Sequence, residues 1–273
     1  GIGDKTGNSN LQLWLMADDG PNATNGNPVS YWQDHSGANN HLTASGNNRP
    51  SFNSNGYKNM PSLVFNGTTN YMKNAGLNAS FKDTQITMFV VKKGASTGSL
   101  FSVSAYNSFT NEYLIYNDGV YHHNYSGGFS YKFKHCRNSM DKTKADITCA
   151  LLGSSVKDIN IYSNGLLSTG SITETLQNLP DFIVTSRKIR IGQRGTIRSN
   201  EYYKGEVLEV IAYNRKLHKI DQKKISRLLQ KIKKKTNFGL GKDGLTSFIT
   251  FSMNPVSGFK YNLDGYRPSP SAI

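Results

Sequence analysis

Short runs in which apolar and polar side chains alternate recur along this chain, and nothing helical separates them. Thr87-Met-Phe-Val-Val-Lys92 is a compact β-branched and aromatic run of the kind that forms a buried strand. Leu100–Ser104, Glu112–Tyr116, Phe129–Phe133, Asp146–Leu152, Asp158–Tyr162, Leu166–Gly170, Ile189–Gly192 and Val207–Tyr213 follow at short intervals. Asn117-Asp118-Gly119 ends one run, and Ser163-Asn164-Gly165 joins two others. Asn-Gly supplies the positive φ angles that a type I′ hairpin needs. Strands this frequent, with no crossover helices, predict an antiparallel sandwich rather than an α/β fold.

At 273 residues, one all-β domain accommodates the chain. Hydrophobic residues make up 36% and charged residues 18%, which suits short strands joined by polar turns. No apolar run approaches the length of a membrane-spanning helix. The chain opens on Gly1 with neither an initiator Met nor a charged-then-apolar leader, and so reads as a processed product whose export signal is out of view.

The net charge of +14 is concentrated. From Arg215 to Lys242 eleven Lys or Arg stand against the single acid Asp221, and eleven minus one leaves +10 in that stretch. The same stretch carries Leu217, Ile220, Ile225, Leu228, Leu229 and Ile232 at three- to five-residue steps. That predicts an amphipathic helix over 221–235, capped by Asp221 and stopped by Asn237-Phe-Gly-Leu-Gly. Residues 1–10 read as a lead-in, 11–236 as the folded domain, and 237–273 as an extension or linker ending in Pro268-Ser-Pro-Ser.

Other pieces stand in a telling order. They are Leu11-Gln-Leu-Trp14-Leu-Met-Ala-Asp18-Asp19, Val29-Ser-Tyr-Trp32-Gln-Asp34-His-Ser-Gly, Pro61-Ser-Leu-Val-Phe65-Asn66-Gly67-Thr-Thr-Asn70-Tyr71, Ile189-Arg-Ile-Gly192-Gln-Arg and Tyr203-Lys-Gly205-Glu206-Val-Leu-Glu209-Val-Ile-Ala-Tyr213-Asn214. From about Leu11 to about Gln230 this pattern resembles the laminin-G/concanavalin-A-like jelly-roll domains of bacterial and viral surface proteins. The resemblance implies a two-sheet antiparallel jelly roll with the basic helix packed outside it. It places Trp14, Trp32, Phe65, Phe89, Ile161, Ile191, Val207 and Ile211 in or near the core, with no ligand role for the two tryptophans. Glu206 and Glu209 match acidic positions of a family strand, where the role is structural hydrogen bonding.

Catalysis is not expected. Related jelly-roll glycosidases carry Glu-x-Asp-x-x-Glu on one strand, and no such run occurs here. Glu206 and Glu209 are three apart, so a regular strand would point them to opposite faces. No Gly-x-Ser-x-Gly elbow is present, and His122-His123 is a poor metal pair because neighbours in an extended chain face apart. The family's Phe-Asp-Gly-x-x-Asp-Tyr reads Phe65-Asn66-Gly67-Thr68-Thr69-Asn70-Tyr71 here, with both acids turned to amides. A structural calcium is therefore disfavoured, although Asp18, Asp19, Asp34 and Asp118 remain as oxygen donors. No cofactor is expected.

Sugar binding needs exposed aromatic faces beside amides and hydroxyls. Tyr116, Tyr121, His122, His123, Asn124 and Tyr125 have that composition, as do Tyr202 and Tyr203. Lys223, Lys224, Lys231, Lys233, Lys234 and Lys235 form a candidate electrostatic contact with acidic polysaccharide, lipopolysaccharide or an acidic protein surface within an assembly. Nucleic acid is disfavoured because the helix lacks interleaved aromatics. Cys136 and Cys149 flank a polar turn; an antiparallel pair centred there would bring them within disulfide reach, and two unpaired thiols is the other reading. The expectation is a non-catalytic recognition or adhesion module that binds glycan at a cell or virion surface. The alternative is a structural domain of a larger assembly, such as a tail fibre or giant adhesin, with no sugar ligand.

Overall fold

A computed structural model describes residues 10–74, 85–94, 98–104, 112–116, 119–126, 130–137, 146–152, 159–167, 172–175, 188–195 and 201–234. The strands, in chain order, are β1 (Leu11–Met16), β2 (Tyr31–Trp32), β3 (Leu42–Thr43), β4 (Ser51–Asn53), β5 (Ser62–Asn66), β6 (Met72–Asn74), β7 (Ile86–Gly94), β8 (Ser99–Ser104), β9 (Glu112–Tyr116), β10 (Gly119–Ser126), β11 (Ser130–Arg137), β12 (Asp146–Leu152), β13 (Ile159–Ser163), β14 (Leu166–Leu167), β15 (Ile172–Thr175), β16 (Lys188–Ile191) and β17 (Lys204–Tyr213). One helix, α1 (Lys219–Lys234), follows them. Among the described residues no helix is long and apolar enough to cross a membrane.

The strands form two antiparallel sheets, as a jelly-roll sandwich requires. The eight-stranded sheet runs β14-β13-β12-β7-β17-β5-β4, with β1 also paired to β17. The nine-stranded sheet runs β15-β11-β10-β9-β8-β16-β6-β3-β2. The Asn164-Gly165 turn has φ angles of 50° and 85°, the two positive values its sequence predicts.

Alternation sorts side chains between two apolar layers. Leu13, Leu15, Trp32, Phe65, Met88, Val90, Phe101, Ile161, Ile191, Val207 and Val210 fill the space between the sheets. A second layer covers the outer face of the eight-stranded sheet: Trp14, Phe89, Val91, Ile147, Cys149, Ile211 and Tyr213, closed by Ile225 and Leu229 of α1. All eight residues expected in the core are buried.

The helix begins two residues earlier than its caps imply. Asp221 therefore lies in the first turn, where it offsets the partial positive charge of the helix N-terminus, rather than at the cap. The buried stripe is also rotated: Gln222, Ile225, Ser226 and Leu229 face the sheet, whereas Ile220, expected on the apolar side, is 67% exposed. Positions 222, 225, 226 and 229 follow the three-and-four step of one helical face, and 220 falls outside it. The two cysteines lie apart in the sheet order. Their strands do not pair with each other: β11 belongs to the nine-stranded sheet and β12 to the eight-stranded one. Cys149 is a free, buried thiol, which burial pushes well above its ordinary pKa.

Candidate functional site

The two sheets carry different chemistry on their outer faces. On the eight-stranded sheet the register of β17 against β7 slips: Val207 stands opposite Lys92 and Glu209 opposite Val91, leaving Leu208 as an extra residue. This bulge reverses the expected parity. Val207 and Val210 point into the sandwich, while Leu208 joins the outer layer and Glu209 meets Trp14, another member of that layer. Glu206 and Glu209 consequently lie on one face, not on opposite faces.

Both carboxylates are engaged in internal bonds. Glu206 pairs with Lys93 Nζ at 3.2 Å and accepts from Ser62 Oγ at 2.9 Å and from the Tyr57 backbone N–H at 3.2 Å. Glu209 is 6% exposed and accepts the Trp14 indole N–H at 3.0 Å. Burial raises its pKa to about 8; the indole bond opposes the shift and the Asp18 charge adds to it. Asp34 is equally occupied, accepting from the backbone N–H groups of Trp14, Ser36 and Asn40 and from Ser36 Oγ at 2.7–2.9 Å. These acids tie loops to the sheet.

The amides Asn66 and Asn70 are both hydrogen-bonded locally. Asn66 Oδ1 accepts three backbone N–H groups, from Thr68, Thr69 and Asn70. Asn70 Nδ2 donates to the carbonyls of Asn47 and Arg49 at 3.1 and 2.8 Å, a task that a carboxylate has no proton to perform.

The outer face of the nine-stranded sheet is more open. One rung of its ladder runs Tyr31, Thr43, Lys73, Arg190, Ser102 and Leu114 across β2, β3, β6, β16, β8 and β9. Trp32, Leu42, Met72, Ile189 and Ile191, the neighbours of its first four members, all point inward to the core. Tyr31, Thr43, Lys73 and Arg190 therefore face outward, and each is half-buried. His41 tilts against Tyr31 with ring centroids 5.4 Å apart. The Arg190 guanidinium stands 6.0 Å over the ring of Tyr71, whose hydroxyl accepts from Asn48 Nδ2.

Arg190 is held in place from behind, its Nη1 donating to the carbonyls of Arg194 and Gly195 at 3.3 and 3.0 Å. Among the described residues the ion pairs involve other groups, and no acid pairs with Lys73 or Arg190. Adjacent strands are ~4.8 Å apart, so the four outward positions from Tyr31 to Arg190 span ~14 Å. Past Arg190 the chain after β16 folds back and closes the face. Ser102 Oγ donates to the Gln193 carbonyl, and Gly195 sits so close to Ser104 that an added Cβ would stand 1.6 Å from its Oγ.

The residues expected from sequence to bind sugar divide. Tyr203 is fully buried: it packs edge-on against Phe65 and donates its hydroxyl to the Lys93 carbonyl, so it presents no face to a ligand. Tyr116 is 8% exposed and donates its hydroxyl to Glu201, which also pairs with Arg194. Tyr202 is half-buried on the same return segment. Tyr121, His122, His123, Asn124 and Tyr125 lie on β10, with Tyr121 opposite Leu114; their side chains fall outside the described residues. On α1, Lys223 and Lys224 are exposed, Lys224 3.9 Å from Asp221. The side chains of Lys231, Lys233 and Lys234, and Lys235 altogether, lie outside the described residues. No group of three or more His, Cys, Asp or Glu among the described residues is arranged to hold a metal ion.

Sequence reading passed over Tyr31, His41, Thr43, Lys73 and Arg190. The available signal was parity, since Tyr31, Lys73 and Arg190 each adjoin an inward apolar residue. Their assembly into one rung depends on long-range pairings, of which Lys73 with Arg190 joins segments more than a hundred residues apart.

No protein-family profile and no curated protein matches the sequence. Solved structures do resemble it. It superposes on a point mutant of HCR/D with a TM-score of 0.53 at 14% identity, covering 82% of this chain and 52% of that one. The botulinum neurotoxin type G receptor binding domain gives 0.50 at 11% identity, covering 81% and 52%. Trypanosoma rangeli sialidase in complex with sialic acid gives 0.52 at 14% identity, covering 82% and 34%. The chain spans about half the length of the first two and about a third of the third. At these identities the likeness shows the fold, a two-sheet jelly-roll sandwich, and nothing finer.

Proposed function

We propose that this chain is a non-catalytic recognition module of the laminin-G/concanavalin-A-like kind, acting at an extracellular or virion surface. Its ligand is an anionic glycan bound on the outer face of the nine-stranded sheet, around Tyr31, Thr43, Tyr71, Lys73 and Arg190. The observation that carries this reading is the rung itself: two cations with no acidic partner among the described residues stand among aromatic rings and a hydroxyl. Aromatic faces suit the apolar side of a pyranose, and a guanidinium suits a carboxylate or sulfate. Two of the structural neighbours are, by name, a receptor binding domain and a sialidase bound to sialic acid, which is consistent in kind. Against hydrolysis stands the engagement of Glu206 and Glu209 in internal bonds on the other sheet. Most glycosidases use two carboxyl groups facing one substrate, and these two do not present that arrangement.

The test is a glycan array followed by calorimetry with acidic and neutral oligosaccharides. Binding to acidic glycans should weaken at least ten-fold in Lys73→Gln and in Tyr31→Ala, since a charge-assisted contact and an aromatic contact are each worth about 1.5 kcal/mol or more. Absence of any glycan binding, together with stable oligomers in light scattering, would favour a structural domain of a larger assembly contacting an acidic protein surface.

A further inference from the structure

Three large apolar side chains are exposed among the described residues: Leu166 at 75%, Leu167 at 55% and Ile220 at 67%. The two leucines form β14, a two-residue strand at the edge of the eight-stranded sheet, directly after the Asn164-Gly165 turn. That turn rests on α1. Gln230 Nε2 donates to the Asn164 carbonyl, and a Cβ on Gly165 would stand 3.0 Å from Gln230 Nε2 and 3.8 Å from Ser226 Cβ.

The next ridge of the helix is basic. Lys219, Lys223 and Arg227 stand four residues apart, all exposed, and form one row beside the Ser226–Gln230 row that touches the hairpin. Ile220 borders that basic row. The helix's single acid, Asp221, is turned to Lys224 at 3.9 Å, and no acid among the described residues pairs with the row. Apolar tip and basic row are thus held side by side by a contact between hairpin and helix.

We propose that the β13–β14 hairpin tip and the Lys219–Lys223–Arg227 row form a peripheral docking surface for a bilayer with anionic phospholipid headgroups. Leu166 and Leu167 enter the headgroup–acyl boundary while the cations meet the phosphates and carboxylates around them. Stable attachment to a bilayer takes two signals, an apolar insertion and a basic patch, and this surface supplies both. A soluble polyanion offers the leucines no apolar phase. A second copy of this chain would bring its own basic row against the first, so charge disfavours self-association there.

The experiment is co-sedimentation of the full chain with sugar-free vesicles, of phosphatidylcholine alone and of phosphatidylcholine mixed with phosphatidylserine, alongside capture on heparin. Wild type should bind the mixed vesicles and ignore the neutral ones. Leu166→Ser with Leu167→Ser should lose roughly ten-fold per leucine with an unchanged circular dichroism spectrum, because burying a leucine is worth that factor or more. Lys219→Gln, Lys223→Gln and Arg227→Gln together should lose about a hundred-fold, near five-fold per cation. Failure of wild type to bind mixed vesicles at low salt overturns the proposal. So does undiminished vesicle binding by the leucine variant, which assigns the surface to polyanions instead. Neither result bears on glycan recognition, since the vesicles carry no sugar.

Discussion

The outer faces of the two sheets repay comparison, because one chain built both from the same alternation and spent them differently. On the eight-stranded sheet the outward positions are largely apolar, α1 lies over them, and the acids that remain are bonded inward: Glu209 to Trp14, Glu206 to Lys93. On the nine-stranded sheet the outward positions near β2, β3, β6 and β16 are tyrosine, threonine, lysine and arginine, and their charges have no acidic partners among the described residues. A polar group satisfied within the fold contributes to stability; one left facing water keeps its binding capacity. The first face holds the molecule together, and the second is the one we propose for the ligand.

The largest effect should come from Trp14→Ala. Removing a buried indole from the covered face leaves a cavity and strips Glu209 of its donor. Loss of about 3–5 kcal/mol is expected, measured as a shift of the urea midpoint. A change below about 1 kcal/mol would show that α1 and its apolar layer contribute little, and the contrast between the faces would collapse.

The second effect is a pH dependence centred on Glu209. Its side chain titrates at about 8 in the fold against 4.5 ordinarily, so between those values the native state holds a proton that the unfolded chain has released. Stability from this group is therefore complete below about pH 4.5 and is lost as pH rises towards 8, by on the order of a few kcal/mol. Glu209→Gln keeps an acceptor for the Trp14 N–H and removes the titration. Denaturation curves at pH 5 and pH 8 should converge in that variant. An unaltered pH profile would mean that other groups, Asp18 foremost, govern the window; its pKa too is raised by burial.

The smallest effect on stability should be that of Lys73→Gln on the open face, within about 0.5 kcal/mol of wild type. That null in melting, set against the loss of acidic-glycan affinity expected of the same variant, sharpens the division of labour between the faces. Destabilisation comparable to that of Trp14→Ala would show that Lys73 is a structural residue and not a reserved cation.

Sequence by itself determined the strand periods, the Asn164-Gly165 hairpin and the existence of one basic amphipathic helix. Each depends on residues a few positions apart, and alternation, turn chemistry and helical spacing are local. Tertiary structure decided the rest. The bulge at Leu208 brought Glu206 and Glu209 to one face, against a parity argument that assumed a regular strand. Packing on Phe65 buried Tyr203, whose sequence neighbours resemble an exposed aromatic pair. The assignment of β11 and β12 to different sheets is likewise invisible in the local turn between the cysteines. The rung from Tyr31 to Arg190 exists only because β3, β6 and β16 pair in one register, joining residues separated by up to 159 positions. Such long-range pairings are selected by burial of the whole inner face at once, and no local window of sequence contains that information.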